Sequence, residues 1–185
     1  TGAHVGFEAL VRWEHPSRGW LRPAEFIPLA EDSGLIAPLG RQVLEMAIQT
    51  VAAWKQQGLW ANGWYVSVNV SGRQLTSHHL VDHLVGLLES QGLNAQDVRL
   101  EITESSLITH LDAVNTELPR LDQRGIVLCM DDFGTGYSSL SYLNQLPFKV
   151  LKIDKSFMDD LTRNNARQAL VRTMLTLARD MKLKV

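Results

Sequence analysis

Five short apolar runs in this chain each carry, at or near their end, a side chain that is expensive to bury. Glu8 stands in VGFEALVRW, Asn69 in YVSVNVS, Glu101 in VRLEITES, Asp131 and Asp132 in IVLCMDDFGTGYSSL, and Lys152 in FKVLKID. Acids persist in apolar surroundings only when paired or bound to a metal. The same costly choice in separate segments points to one convergent site, and its chemistry points to a divalent-metal centre.

The runs also set the fold class. β-rich stretches near 5–12, 64–70, 97–102, 126–131 and 148–153 alternate with amphipathic ones at 23–32, 37–57, 77–91, 111–124, 137–146 and 164–181. The helical readings rest on a period of 3.6 residues, as in Leu44, Ile48, Val51 and Trp54. Gly58, Gly92 and Gly125 follow three of them as left-handed caps. Repeated strand–helix alternation predicts parallel strands with crossover helices, in an α/β sheet or a barrel. Thr1-Gly2 reads as a turn before the first strand, and Met181–Val185 as the start of another. A (β/α)8 barrel takes about 250 residues. The expectation for these 185 residues is therefore one domain over 1–185 that lacks its first strand and its last ones.

Composition narrows the function. The net charge is −2 and the cations are scattered, which excludes a broad footprint for a DNA or RNA polymer but allows a small phosphorylated ligand. Cys129 is the single cysteine and lies in an apolar run, so disulfides play no part and a reducing, cytoplasmic setting fits. No apolar stretch reaches the roughly 18 residues of a membrane span, although the parent protein can still be membrane-tethered. None of the six histidines shows zinc spacing, and none is assigned to catalysis: His4, His15, His78, His79, His83 and His110.

Strand alternation places Glu8, Leu10 and Arg12 on one face, a carboxylate for a metal and a guanidinium for a phosphate. A buried Glu–Arg pair is the competing reading. Asn69 shares a face with Ser67 and Tyr65, as an oxygen ligand, a core amide or a helix cap. Glu101 and Glu104 can divide the work of metal ligand and loop brace. Alternatively, Thr103 or Ser105 opens a helix with acids in its first turn. Asp131-Asp132 repel each other unless a cation intervenes, and Gly134 after them also fits a solvated turn. Lys152, alternating with Val150 and Phe148, is expected beside the acids unless it snorkels outward.

In this order and at this spacing, FEALVRW, NVS, LEITES, DDFGTGYSSL and LKIDKSF resemble the EAL domains, bacterial cyclic di-GMP phosphodiesterases, over essentially the whole chain. The resemblance implies a (β/α)8-type barrel with one antiparallel strand and metal-dependent hydrolysis of cyclic di-GMP to linear pGpG. It implies that Glu8, Asn69, Glu101, Asp131 and Asp132 hold two Mg²⁺ or Mn²⁺ ions. Leu10, Arg12 and Asp154 would contact the substrate, and Lys152 would act with Glu8 and Asp131 in catalysis. Glu104 would brace the loop 133–140, which couples the site to a homodimer. A sensory or GGDEF domain would precede the chain in its parent. A Tyr-Gln-Pro strand before Thr1 and a Glu-Gly-Val-Glu segment after Val185, whose first Glu is the family's proposed general base, would complete the site. The parent is then the active enzyme and this stretch alone a poor one. A cyclic di-GMP receptor without turnover is the alternative; a protein-interaction module has no use for ligands on five strands.

Overall fold

The computed structural model describes residues 4–77, 79–135, 140–159 and 161–185. Thr1-Gly2, His78, and residues 136–139 of the loop after Asp132 lie outside them. Five strands form one sheet: β1 (Phe7–Ala9), β4 (Val66–Asn69), β5 (Val98–Thr103), β6 (Val127–Phe133) and β7 (Val150–Ile153), in the order β1-β4-β5-β6-β7. Every pairing in it is parallel, as strand–helix alternation requires. Among the described residues the sheet is an open arc with β1 and β7 at its edges. The turn of chain at Lys184 adds a parallel bridge to Val150, so a strand does begin after Met181.

The crossover helices are α2 (Ile36–Gln56), α4 (Leu80–Ser90), α6 (Leu111–Gln123) and α8 (Asn165–Asp180), each within a residue or three of its predicted span. The core lies between them and the outer face of the sheet. Val66, Val68, Leu100, Ile102, Leu128 and Met130 meet Leu44, Ile48, Leu84, Leu118 and Leu121, all buried. Burial on that face leaves the other face free to be polar. Gly58, Gly92 and Gly125 all take positive φ just past a helix end, as their role as caps demands.

Three short helices complete the crossovers. α3 (Gly72–Leu75) follows β4, α5 (Glu104–Thr109) follows β5, and α7 (Leu140–Gln145) falls within the stretch 137–146. Sequence periodicity had no power over the first two, because four to six residues do not complete a recognisable stripe. The hairpin of β2 (Trp13–His15) and β3 (Gly19–Leu21) went unread for the same reason. Two three-residue strands are marginal alone. Packing steadies this pair: the Trp13 ring sits 5.8 Å from Phe26 and 4.9 Å from His15. Phe26 belongs to α1 (Pro23–Asp32), whose span matches its expected one.

The base of the arc is tied by charge. Lys55, in the last turn of α2, donates to Asp97 at 2.6 Å, and Asp97 also accepts the Asn94 amide at 2.8 Å. Asp97 is buried, so losing its charge leaves Lys55 unpaired and weakens the turn that starts β5. Asp97→Asn is expected to cost about 1–2 kcal/mol, read as a lower midpoint in urea unfolding; an unchanged midpoint would show the pair to be neutral.

Candidate active site

Parallel strands present all their carboxyl ends on one side of a sheet, and the polar side chains gather there. The register climbs across the arc. Glu8 pairs with Ser67, Asn69 with Glu101, and Thr103 with Asp131, so neighbouring strands bring acids up in steps of two residues. Such a stagger accompanies strand tilt in barrels. Steps of two keep every one of these side chains on the same face.

The cluster closes on one ammonium. Lys152 Nζ lies 2.5 Å from Glu101 Oε2, 3.2 Å from Asp131 Oδ2 and 3.8 Å from Glu8 Oε2. Asn69 Nδ2 donates to the other Glu8 oxygen at 3.1 Å. Glu8, Asn69, Glu101, Asp131 and Lys152 are thus one connected network drawn from five strands. Lys152 does not snorkel, and Asn69 is not the helix cap, a position that Ser71 takes at α3.

Burial raises the Glu101 carboxyl above its ordinary value; hydrogen bonds from Lys152 and Ser67 oppose this, and Glu8 adds to it. The ammonium shows the converse balance. Burial pulls Lys152 down, but the hydrogen bond and charge of Glu101, then Asp131 and Glu8, leave it raised and firmly charged. Cys129, two residues before Asp131 in the same strand, has its thiol pushed up to about 11 by burial and then by Glu101. It sits in the field of the acids as a protonated, inert group. Ser67 is the functional neighbour that strand reading registered only as sharing Asn69's face.

Asp132 takes a different path. β6 and β7 slip register between Met130 and Phe133, and Asp132 has φ +54. An aspartate tolerates that left-handed conformation better than most residues. The bulge lets two consecutive carboxylates approach one site, where strict alternation would send them to opposite faces. Burial and then Asp131 raise the Asp132 carboxyl, with Asp154 and Glu8 adding repulsion. Asp154 itself is half-buried, accepts from the Ser156 amide and hydroxyl, and is lowered by those bonds.

The strand that was to carry Leu10 and Arg12 is shorter than expected. β1 ends at Ala9, so alternation does not carry Leu10 and Arg12 onto the face of Glu8. Both are exposed, and Arg12 Nη1 donates to the Val11 carbonyl at 2.8 Å rather than to an acid, so the structural Glu–Arg pair is absent too. All three residues do line one cleft of about 850 Å³, together with Trp13, Phe26 and α2. For Glu104 the two readings coincide. It is the first residue of α5, with Thr103 at the cap, and its Oε2 accepts the Gly134 amide at 3.0 Å while it is buried. Gly134 has φ +99, and a Cβ there would meet Met174 and Phe157 at 2.5 and 2.8 Å. The near end of the loop is therefore fixed by a carboxylate and by a residue that has to be glycine.

The donor set is all oxygen, and its acids outnumber its cation, which suits a hard divalent ion in kind. As placed, Glu101 and Asp131 keep hydrogen-bond spacing to Lys152, and Glu8 ion-pair spacing. Among the described residues no three His, Cys, Asp or Glu are gathered as closely as a metal ion needs. No helix among them is long and apolar enough to cross a membrane.

The EAL domain family matches residues 1–185. The chain is 39% identical over its full length to the "Bifunctional diguanylate cyclase/cyclic di-GMP phosphodiesterase MucR" of Pseudomonas aeruginosa, of which it covers 27%. It is 38% identical over 96% of its length to "Cyclic di-GMP phosphodiesterase PdeR" of Escherichia coli, of which it covers 26%. The chain thus spans under a third of the length of these curated relatives. Among solved structures, "PaMucR Phosphodiesterase, c-di-GMP complex" superposes with a TM-score of 0.90 at 39% identity, over 98% of this chain and 73% of that one. Fold and sequence agree: this chain belongs to the EAL domain family.

Proposed function

We propose that the protein containing this chain hydrolyses cyclic di-GMP to linear pGpG. The observation that carries the reading is the convergence of Glu8, Asn69, Glu101, Asp131 and Lys152 at the carboxyl ends of five parallel strands, with Asp132 turned toward them by the bulge. Relatives named as cyclic di-GMP phosphodiesterases, and a related structure named as a complex with c-di-GMP, support the choice of substrate. The arc is read as part of a (β/α)8-type barrel with one antiparallel strand, the remaining strands belonging to a longer parent.

Glu8, Asn69, Glu101, Asp131 and Asp132 would hold Mg²⁺ or Mn²⁺, two ions in this reading. When bound, such ions supply Lewis acidity at the phosphodiester and a more acidic water. The protein's own groups do the remaining work. Lys152, held charged by its carboxylates, stabilises negative charge growing on the phosphoryl oxygens. Arg12, tethered among the described residues to a neighbouring carbonyl alone, can swing onto a phosphate as a bidentate donor. Leu10 offers an apolar surface to the substrate, and Asp154 a carboxylate at the rim. Glu104 steadies the loop beginning at Gly134, through which the site would communicate with a second subunit. A sensory or GGDEF domain elsewhere in the parent would set the signal.

The direct test is turnover of cyclic di-GMP by the full-length parent and by residues 1–185, with Mg²⁺, Mn²⁺ or EDTA. Metal-dependent pGpG from the parent is the expected result. Tight binding without product would replace this reading with a receptor module. Two variants separate the roles. Asp131→Asn is expected to lower metal affinity and turnover together, by at least about tenfold. Arg12→Ala is expected to weaken substrate binding by about 10–100-fold while calorimetric metal affinity stays at the wild-type value; a metal defect in Arg12→Ala would sink the phosphate assignment.

A further inference from the structure

A lysine near the end of a strand ordinarily turns its ammonium to water. Lys152 instead keeps two-thirds of its side chain covered and meets three carboxylates from three other strands. It binds Glu101 and Asp131 at hydrogen-bond distance and Glu8 at the limit of an ion pair. One ammonium thus answers acids from β1, β5 and β6 at once. Asp132 is not among the hydrogen-bond partners of Lys152, though it feels that charge along with those of Asp131 and Asp154.

We propose that Lys152 is a resident counter-cation: in the metal-free protein its ammonium holds Glu8, Glu101 and Asp131 together, and it competes with the divalent ion for those same oxygens. The inference rests on the metal reading above and goes further, because it assigns Lys152 a role before any substrate binds. The ammonium prevents three acids on three strands of one sheet from repelling one another. An incoming cation takes over that duty and has to loosen at least part of the ammonium's hold. Removing the ammonium therefore acts in opposite directions on two quantities. The metal-free fold loses stability, and the affinity for metal rises.

The test uses the full-length parent, as wild type and as Lys152→Met. Mg²⁺ and Mn²⁺ are titrated in by calorimetry, and melting temperatures are taken in EDTA and at saturating metal. Lys152→Met is expected to bind metal about three- to tenfold more tightly. Its melting temperature should fall below wild type in EDTA and recover most of that loss with metal. Wild type that binds metal while Lys152→Met binds no more tightly overturns this inference alone. Wild type that binds no metal overturns the metal reading and this inference with it. Should Lys152→Met fail to fold, the ¹⁵Nζ resonance of Lys152 in wild type decides. A slowly exchanging ammonium signal in EDTA that is lost or shifted on adding Mg²⁺ supports competition, and an unmoved signal overturns it.

Discussion

One ammonium is the constraint on which this end of the sheet depends. Glu8, Glu101 and Asp131 stand on β1, β5 and β6, and Lys152 on β7 reaches all three. Glu101 is almost fully covered, and an uncompensated carboxylate there would be costly. Ser67 and Asn69 on β4 join the network from the middle of the arc. The charges hold the staggered strands in a fixed relation, while the apolar face behind them packs on the helices. Neither face would fold alone: the outer side chains supply the driving force, and the inner ones set where the strands must stop sliding.

Much of this was legible because strands obey a period of two. Alternation gave the face of each side chain within its own strand, and the cost of burying Glu8, Asn69, Glu101 and Lys152 at the ends of apolar runs pointed to one site, where their mutual contacts now stand. The long helices were legible for the analogous reason, since ten or more residues define a stripe. What escaped was the local geometry wherever a period breaks. Asp132 was named with Asp131, but the bulge and the positive φ at that point leave no trace in apolar spacing. Alternation stops deciding the placement of Arg12 because β1 lasts only three residues. The hairpin after it is specified by tertiary packing of Trp13 on Phe26, contacts that no local window contains.

Glu104 shows how two local readings can be one physical device. As the first residue of α5 its carboxylate sits where unsatisfied amides and the helix dipole favour negative charge. From that position it also accepts the amide of Gly134, thirty residues away in sequence. The helix start thus positions the acid, and the acid positions the loop. Gly134 contributes by lacking a side chain, since Met174 and Phe157 occupy the space a Cβ would need.

The identity of the central cation also follows from shape. The three carboxylates reach Lys152 from three strands, at unequal distances and from separate directions. A compact ammonium with three rotatable donors can answer each of them, whereas a guanidinium confines its donors to a plane and prefers two oxygens of one acid. An arginine here would pair with one carboxylate and leave the others facing each other. A neutral side chain would leave all three. Lysine is the side chain that satisfies the ring of acids while remaining mobile enough on its four-carbon stem to give way to a competing ion, and that combination of hold and release is what a site charged by so many acids requires.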